Sequence, residues 1–155
     1  MNTKNTKILA LQKKKLPPQV VDLEEAVLGA LMIDKNAISE IVDILHTDCF
    51  YKESHQEIYE SLTELFNDAE PIDILTVTEK LKKKGKLKFC GGEIYLAELT
   101  QKVTSSAHIE FHARIIVQKY IQRKLISVSS ELISDAFDET TDVIELMDKA
   151  EREIF

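Results

Sequence analysis

Residues 106–137 read SAHIEFHARIIVQKYIQRKLISVSSELISDAF, 32 residues without a glycine or a proline. The two residues that break helices are missing, so the run predicts one long helix from Ser106 to about Phe137. Its apolar residues form two seams. Ile109, Ala113, Ile116 and Tyr120 follow one another at intervals of 4, 3 and 4, and Ile121, Leu125, Val128 and Leu132 repeat that pattern. Such intervals keep side chains on one helix face. Ile126, Ile133 and Phe137 widen the apolar surface. Asp138 to Thr141 reads as a turn, after which Asp142 and Glu145 open a last helix with Val143, Met147, Ala150 and Ile154 on one side. Two antiparallel helices form a hairpin in which each hides one stripe against its mate. The long helix carries more apolar surface than one such contact covers. The excess must meet the rest of the chain, a second copy or another protein. The expected contact residues are Ile109, Ala113, Ile116, Tyr120, Ile121, Leu125, Ile126, Val128, Leu132, Ile133 and Met147, with the cations Arg123 and Lys124 among them.

Upstream, five shorter helices are expected. Leu23, Ala26, Val27, Ala30 and Leu31 give the first a buried stripe, with Asp22 placed to cap it. Gly29 lies inside it, where glycine costs about 1 kcal/mol relative to alanine, so another helix is expected to cross closely there. Asn36 is placed to cap a second helix, with Ile38, Ile41, Val42 and Leu45 inward. Ser54 and Glu57 have capping-box spacing before a third, whose stripe is Ile58, Leu62, Leu65 and Phe66. Asp73 is placed to cap a fourth, with Ile74, Val77 and Leu81 inward and Gly85 as its left-handed terminator. Gly91-Gly92 marks a turn before a fifth with Ile94, Tyr95, Leu96 and Leu99. The fold class is therefore all-α: a basic arm over residues 1–16, a compact helical head over 17–103, and a long-helix antiparallel hairpin over 104–155.

Composition narrows the function. The net charge is -7, unevenly spread. Residues 1–21 hold Lys4, Lys7, Lys13, Lys14 and Lys15 and no acid. A second cluster runs from Lys80 to Lys88, and the last 25 residues hold nine acids against Lys149 and Arg152. A dedicated nucleic-acid domain would present a dominant basic face, which this chain as a whole lacks. No stretch reaches the roughly 20 apolar residues of a membrane span, and Ile8 to Leu11 is too short for a secretory signal core. With no export signal, Cys49 and Cys90 read as reduced, buried small hydrophobes. The only Gly-Lys pair, Gly85-Lys86, is followed by Leu87 and preceded by Lys80 where the phosphate loop needs its first glycine, so that motif is absent. His108 and His112 share a helix face, but Ile109 stands where a zinc protease places its glutamate. His46, Cys49 and His55, with Cys90 or Asp48, lack the tight paired spacing of a structural zinc site. No catalytic, cofactor-binding or metal-ligating residue is assigned.

Several segments resemble the amino-terminal domain of bacterial replicative DNA helicases, the DnaB family. Pro17-Pro18-Gln19 followed by Glu24-Glu25-Ala26-Val27-Leu28-Gly29-Ala30 is similar to the family's opening. Phe50-Tyr51, His55 and Ile58-Tyr59 resemble its next segment, and Glu70-Pro71-Ile72-Asp73 with Leu75-Thr76 another. Gly91-Gly92, Tyr95-Leu96, Glu98-Leu99, His108-Ile109-Glu110, Ala113, Ile115-Ile116, Ala150-Glu151 and Ile154-Phe155 complete the series, which covers residues 17–155 in order. Members often have a shorter leader than the 16 residues here.

The resemblance implies a collar that pairs through its hairpin, builds a trimer of dimers in a ring-shaped hexamer and docks DNA primase. It leaves room for a helicase loader. It also implies a parent protein that unwinds DNA with ATP and Mg²⁺ bound in a separate RecA-like motor, in the bacterial cytoplasm near the nucleoid. DNA would meet this domain only weakly or indirectly, and no membrane is involved. The competing expectation is a stand-alone helical adaptor, such as a loader or inhibitor that imitates the collar. The charge layout adds an expectation for pairing. Arg114, Lys119, Arg123 and Lys124 make the first half of the long helix basic, while its second half and the last helix are acidic. Two antiparallel hairpins would match opposite halves, each exposed pair adding about 0.2–1 kcal/mol and setting orientation more than affinity.

Overall fold

Asp73 shows how local sequence sets a boundary in this chain. Its carboxylate accepts from the Thr76 amide at 2.9 Å while the Thr76 hydroxyl accepts from the Asp73 amide at 3.0 Å, a reciprocal cap that starts a helix at Ile74. The structure, a computed structural model, describes residues 15–103 and 105–154. Among these residues it contains seven α-helices: α1 (Val21–Ile33), α2 (Ala37–Ile41), α3 (Glu53–Asn67), α4 (Ile74–Lys83), α5 (Gly92–Gln101), α6 (Ile109–Phe137) and α7 (Val143–Ile154). A 3₁₀ turn, Thr47–Cys49, precedes α3. No strand occurs among the described residues. The expected all-α class is what the chain adopts. The arm expected over residues 1–16 lies mostly outside the described residues.

The chain divides into two compact units. One runs from Gln19 to Tyr120 and holds every fully buried hydrophobic side chain described, from Val27 to Ile116. Leu28, Leu31, Ile38, Ile41, Leu45, Ile58, Leu62, Leu65, Leu81 and Leu96 form its centre, with Phe50 and Tyr59 4.9 Å apart between ring centroids. Each such side chain contributes about 1.5–3 kcal/mol of transfer free energy. α1 packs chiefly on α5. The crossing is at Gly29, where an added Cβ would strike the Leu99 carbonyl oxygen and lie 2.6 Å from Val103 Cγ2. The close approach expected from this glycine is thus present.

Three capping expectations fail. α1 begins at Val21, one residue before Asp22, and no side chain caps it. Asp22 sits in the first turn, where the helix dipole favours an anion. α3 begins at Glu53, so Ser54 lies inside the helix instead of before it. Asn36 makes no cap with its side chain; its own amide donates to Asp34 Oδ1 at 2.9 Å. Two helix ends are closed by left-handed residues. Gly85, at φ 67°, donates to the Lys82 carbonyl while Lys86 donates to that of Leu81, the double bond of a Schellman ending. Ala69 closes α3 the same way at φ 54°, with Glu70 donating to Leu65.

The second unit contains residues 121–155 and the segment up to Pro18. Its boundary falls inside α6, between Tyr120 and Ile121. The expected boundary at 103/104 preceded the long helix, so the first turns of that helix belong to the head. No residue of α7 is fully buried. Asp142 caps α7 by accepting from Ile144 and Glu145 amides at 2.8 and 3.2 Å. Lys149 reaches from α7 to α6, 2.6 Å from Asp135 and 3.7 Å from Glu131.

Candidate interaction surface

Three helices of the head meet at a buried polar chain. Glu24 on α1 is 1% exposed and His55 on α3 is 0% exposed. The Glu24 carboxylate accepts from the Tyr51 amide at 2.8 Å and from the Lys52 amide at 3.5 Å, and lies 2.8 Å from His55 Nδ1. On the other side His55 Nε2 is 2.7 Å from the Tyr95 hydroxyl of α5. That hydroxyl also lies 3.2 Å from Glu25, whose second oxygen holds Lys102 at 2.6 Å. Burial pushes the Glu25 carboxyl up, but the Lys102 ammonium and the Tyr95 hydroxyl outweigh it and hold it below the ordinary carboxylate value. Burial and the neighbouring Glu25 push the Tyr95 phenol up. Glu24, His55 and Tyr95 are among the residues that carried the family resemblance. Sealed from solvent and bonded at both ring nitrogens, His55 joins helices and cannot also bind a metal with His46, which is exposed, and Cys49.

Four lysines of the cluster between Lys80 and Lys88 are held in ion pairs. Lys80 lies 3.2 Å from Glu64, Lys84 2.7 Å from Glu60 and 3.3 Å from Glu64, Lys86 3.2 Å from Glu57, and Lys82 3.1 Å from Glu93. Glu57, Glu60 and Glu64 repeat along one face of α3, and that face matches Lys80, Lys84 and Lys86. Cys49 and Cys90 are both buried; burial, with Glu57 nearby, pushes the Cys90 thiol up to about 11, the state of an inert thiol. His108 and His112 rings stand 6.4 Å apart, edge on, and no group of three or more potential metal ligands gathers among the described residues.

The contact residues expected from the long helix separate into two sets. Ile109, Ala113 and Ile116 are buried in the head core, which corrects their assignment to an interface: the first seam of α6 is used up there. Tyr120, partly buried, packs on the same core. Beyond Tyr120 no residue of α6 is fully buried. Ile121 and Leu125 are each 50% exposed, Ile126 and Met147 are also exposed, and Val128, Leu132 and Ile133 are half-buried. Arg123 is half-buried and donates to the Pro18 carbonyl oxygen at 2.8 Å; Lys124 is exposed. Phe137, Val143 and Ile144 extend the apolar surface, the last two 72% exposed. Ile144 lies off the 4-3-4 stripe of α7, so spacing gave no reason to single it out. No helix among the described residues is long and apolar enough to cross a membrane.

Residues 16–118 match the family model described as the DnaB-like helicase N terminal domain. The chain belongs to this family. The match ends two residues before the head unit does, at Tyr120. Relatives extend further. A replicative DNA helicase DnaB of Rhodothermus marinus is 44% identical over 144 residues, 93% of this chain but 15% of the relative's length. The crystal structure of the N-terminal domain of DnaB helicase from Mycobacterium tuberculosis superposes with a TM-score of 0.85 at 31% identity, covering 90% of this chain and 97% of that one. The family fold therefore includes the hairpin as well as the head. A DnaB-like replicative helicase, whose structure is described with its interactions with primase, shares the fold with a TM-score of 0.70 at 24% identity over 85% of this chain and 30% of that one.

Proposed function

We propose that this chain is the amino-terminal collar of a replicative DNA helicase, pairing with copies of itself through the hairpin face of α6 and α7. The observation that carries this reading is the apolar surface beyond Tyr120. Ile121, Leu125, Phe137, Val143, Ile144 and Met147 are all at least half exposed on one two-helix unit. A stable interface between two chains removes about 1,200–2,000 Å² from water and has an apolar centre, and these side chains supply one. Arg123 and Lys124 on one half of the hairpin, and Glu131, Asp135, Glu145 and Asp148 on the other, favour an antiparallel pair. Family membership supports the wider reading. In it the parent protein unwinds DNA with ATP and Mg²⁺ held in a separate motor, the pairs assemble into a hexameric ring in the bacterial cytoplasm, and the collar docks primase, with a helicase loader as a further partner.

Sedimentation velocity over a concentration series tests the pairing. The chain is expected to shift from monomer to dimer as concentration rises. Leu125→Glu with Met147→Glu, and separately Arg123→Glu with Lys124→Glu, should each move that transition to higher concentration, the apolar pair by about 100-fold or more. Far-ultraviolet circular dichroism confirms that the helices remain. A wild-type chain that stays monomeric throughout, or variants that associate as it does, would refute the reading.

A further inference from the structure

We propose that Met147 is an oxidation site through which peroxide controls the pairing of the hairpin face; the inference rests on that pairing and adds its regulation. The first support is selective access. Met147 is 68% exposed, whereas Met32, in the head core, is 4% exposed. The remaining methionine is Met1, so Met147 is the one accessible thioether among the described residues. The other sulfurs belong to Cys49 and Cys90, both buried, and burial holds the Cys90 thiol in its protonated, unreactive form.

The second support is position. Met147 sits within the apolar strip of α7: the exposed Val143 and Ile144 lie one turn before it, and the half-buried Ala150 lies three residues after it. The third is the chemistry of its polar neighbours. Asp148 is next in sequence and Glu151 is one turn on, both exposed and both carrying acceptor oxygens. Lys149, the nearest cation in sequence, is held by Asp135 at 2.6 Å and Glu131 at 3.7 Å.

The step is a two-electron oxygen transfer. The thioether sulfur attacks one oxygen of hydrogen peroxide, an S–O bond forms and the O–O bond breaks. The proton on the transferred oxygen passes to the departing hydroxide, which leaves as water, and the sulfur ends as the sulfoxide. A flexible apolar side chain becomes a polar one. On an unpaired chain the sulfoxide oxygen stays hydrated. Carried into the apolar centre of a pair, it loses that water beside Val143 and Ile144, where the flanking groups offer acceptors and no spare donor, so the paired state is disfavoured. The pair in turn covers the sulfur, so association slows the oxidation that opposes it.

The test is sedimentation velocity of the 155-residue chain before and after treatment with hydrogen peroxide, with peptide mass mapping of the sulfoxides. The treated chain should need a concentration about tenfold or more higher to pair. Methionine sulfoxide reductases A and B together should restore the original transition. In a partly oxidised sample separated by size exclusion, Met147 sulfoxide should concentrate in the monomer fraction, while Met1 sulfoxide divides evenly. Met147→Leu should show the same transition with and without peroxide. Met147→Gln, polar without any oxidation, should shift the untreated transition in the direction that peroxide does. An untreated wild-type chain that stays monomeric refutes the pairing, and this inference with it. Where the untreated chain pairs, the inference alone is overturned by any of four results. The oxidised chain pairs at the untreated concentration; Met147 sulfoxide is equally abundant in both fractions; Met147→Leu responds to peroxide as the wild type does; or Met147→Gln pairs as the wild type does.

Discussion

Ala69 holds a left-handed backbone, φ 54°, to close α3, where an L side chain costs about 1–2 kcal/mol that glycine avoids. Ala69→Gly should therefore stabilise the head by about 0.5–1 kcal/mol, after the larger entropy that glycine loses on folding. The midpoint of urea unfolding checks it; an unchanged or lower midpoint would mean that the turn is not strained. The Glu25–Lys102 pair gives a pH dependence of definite sign. Glu25 is held below its ordinary value of 4.5 in the folded chain. The pair's stabilisation is complete above that value and is lost as pH falls through the lowered one. Lys102→Gln should cost some stability at neutral pH and progressively less below pH 4.5, with the effect kept small because Lys102 is about half exposed. A stability difference that persists unchanged in acid would contradict the assignment of Lys102 as the cause.

At the scale of elements, some helix starts in this chain rest on side chains, as at α4 and α7, and others on packing. α4 is capped reciprocally by Asp73 and Thr76, and Asp73→Ala should cost about 1 kcal/mol, read by thermal or urea unfolding. α1 begins without any side-chain cap, and its position is set by what it buries: Val27, Leu28 and Leu31 in the core, and Gly29 against α5. This is why Asp73 and Gly85 could be read correctly from spacing while Asp22, Asn36 and Ser54 could not. Capping residues are compatible with several starting points, and the tertiary contacts of the following turn choose among them. α6 makes the same point on a larger scale. Its two seams have identical spacing, yet Ile109, Ala113 and Ile116 are buried and Ile121 and Leu125 are half exposed. Periodicity reports that a face is apolar, and the partner for that face lies elsewhere in the chain or outside it.

At the scale of the molecule, the unequal distribution of burial separates two units of different stability. All fully buried hydrophobics described lie between Val27 and Ile116, and α7 has no fully buried residue. Opening free energies follow buried apolar contacts. Amide hydrogen exchange in dilute solution should therefore show the slowest exchange in α1, α3 and α5 and much faster exchange across residues 121–154. Raising the concentration should slow exchange in the hairpin and leave the head unchanged, because only the hairpin gains a covering. Uniform protection at low concentration would show that the hairpin is stable without a partner.

The sequence by itself determined the all-helical class, the helix count in the head, the uninterrupted span of the long helix, the close crossing at Gly29 and the family. These follow from local physics: the absence of glycine and proline, apolar intervals of three and four residues, and the turn residues between them. Tertiary structure decided which apolar seam was consumed by the core, which lysine cluster was neutralised, and that His55 is locked between Glu24 and Tyr95. Those outcomes depend on residues dozens of positions apart being brought within a few ångströms, and one-dimensional spacing carries no information about which distant carboxylate or core will be waiting.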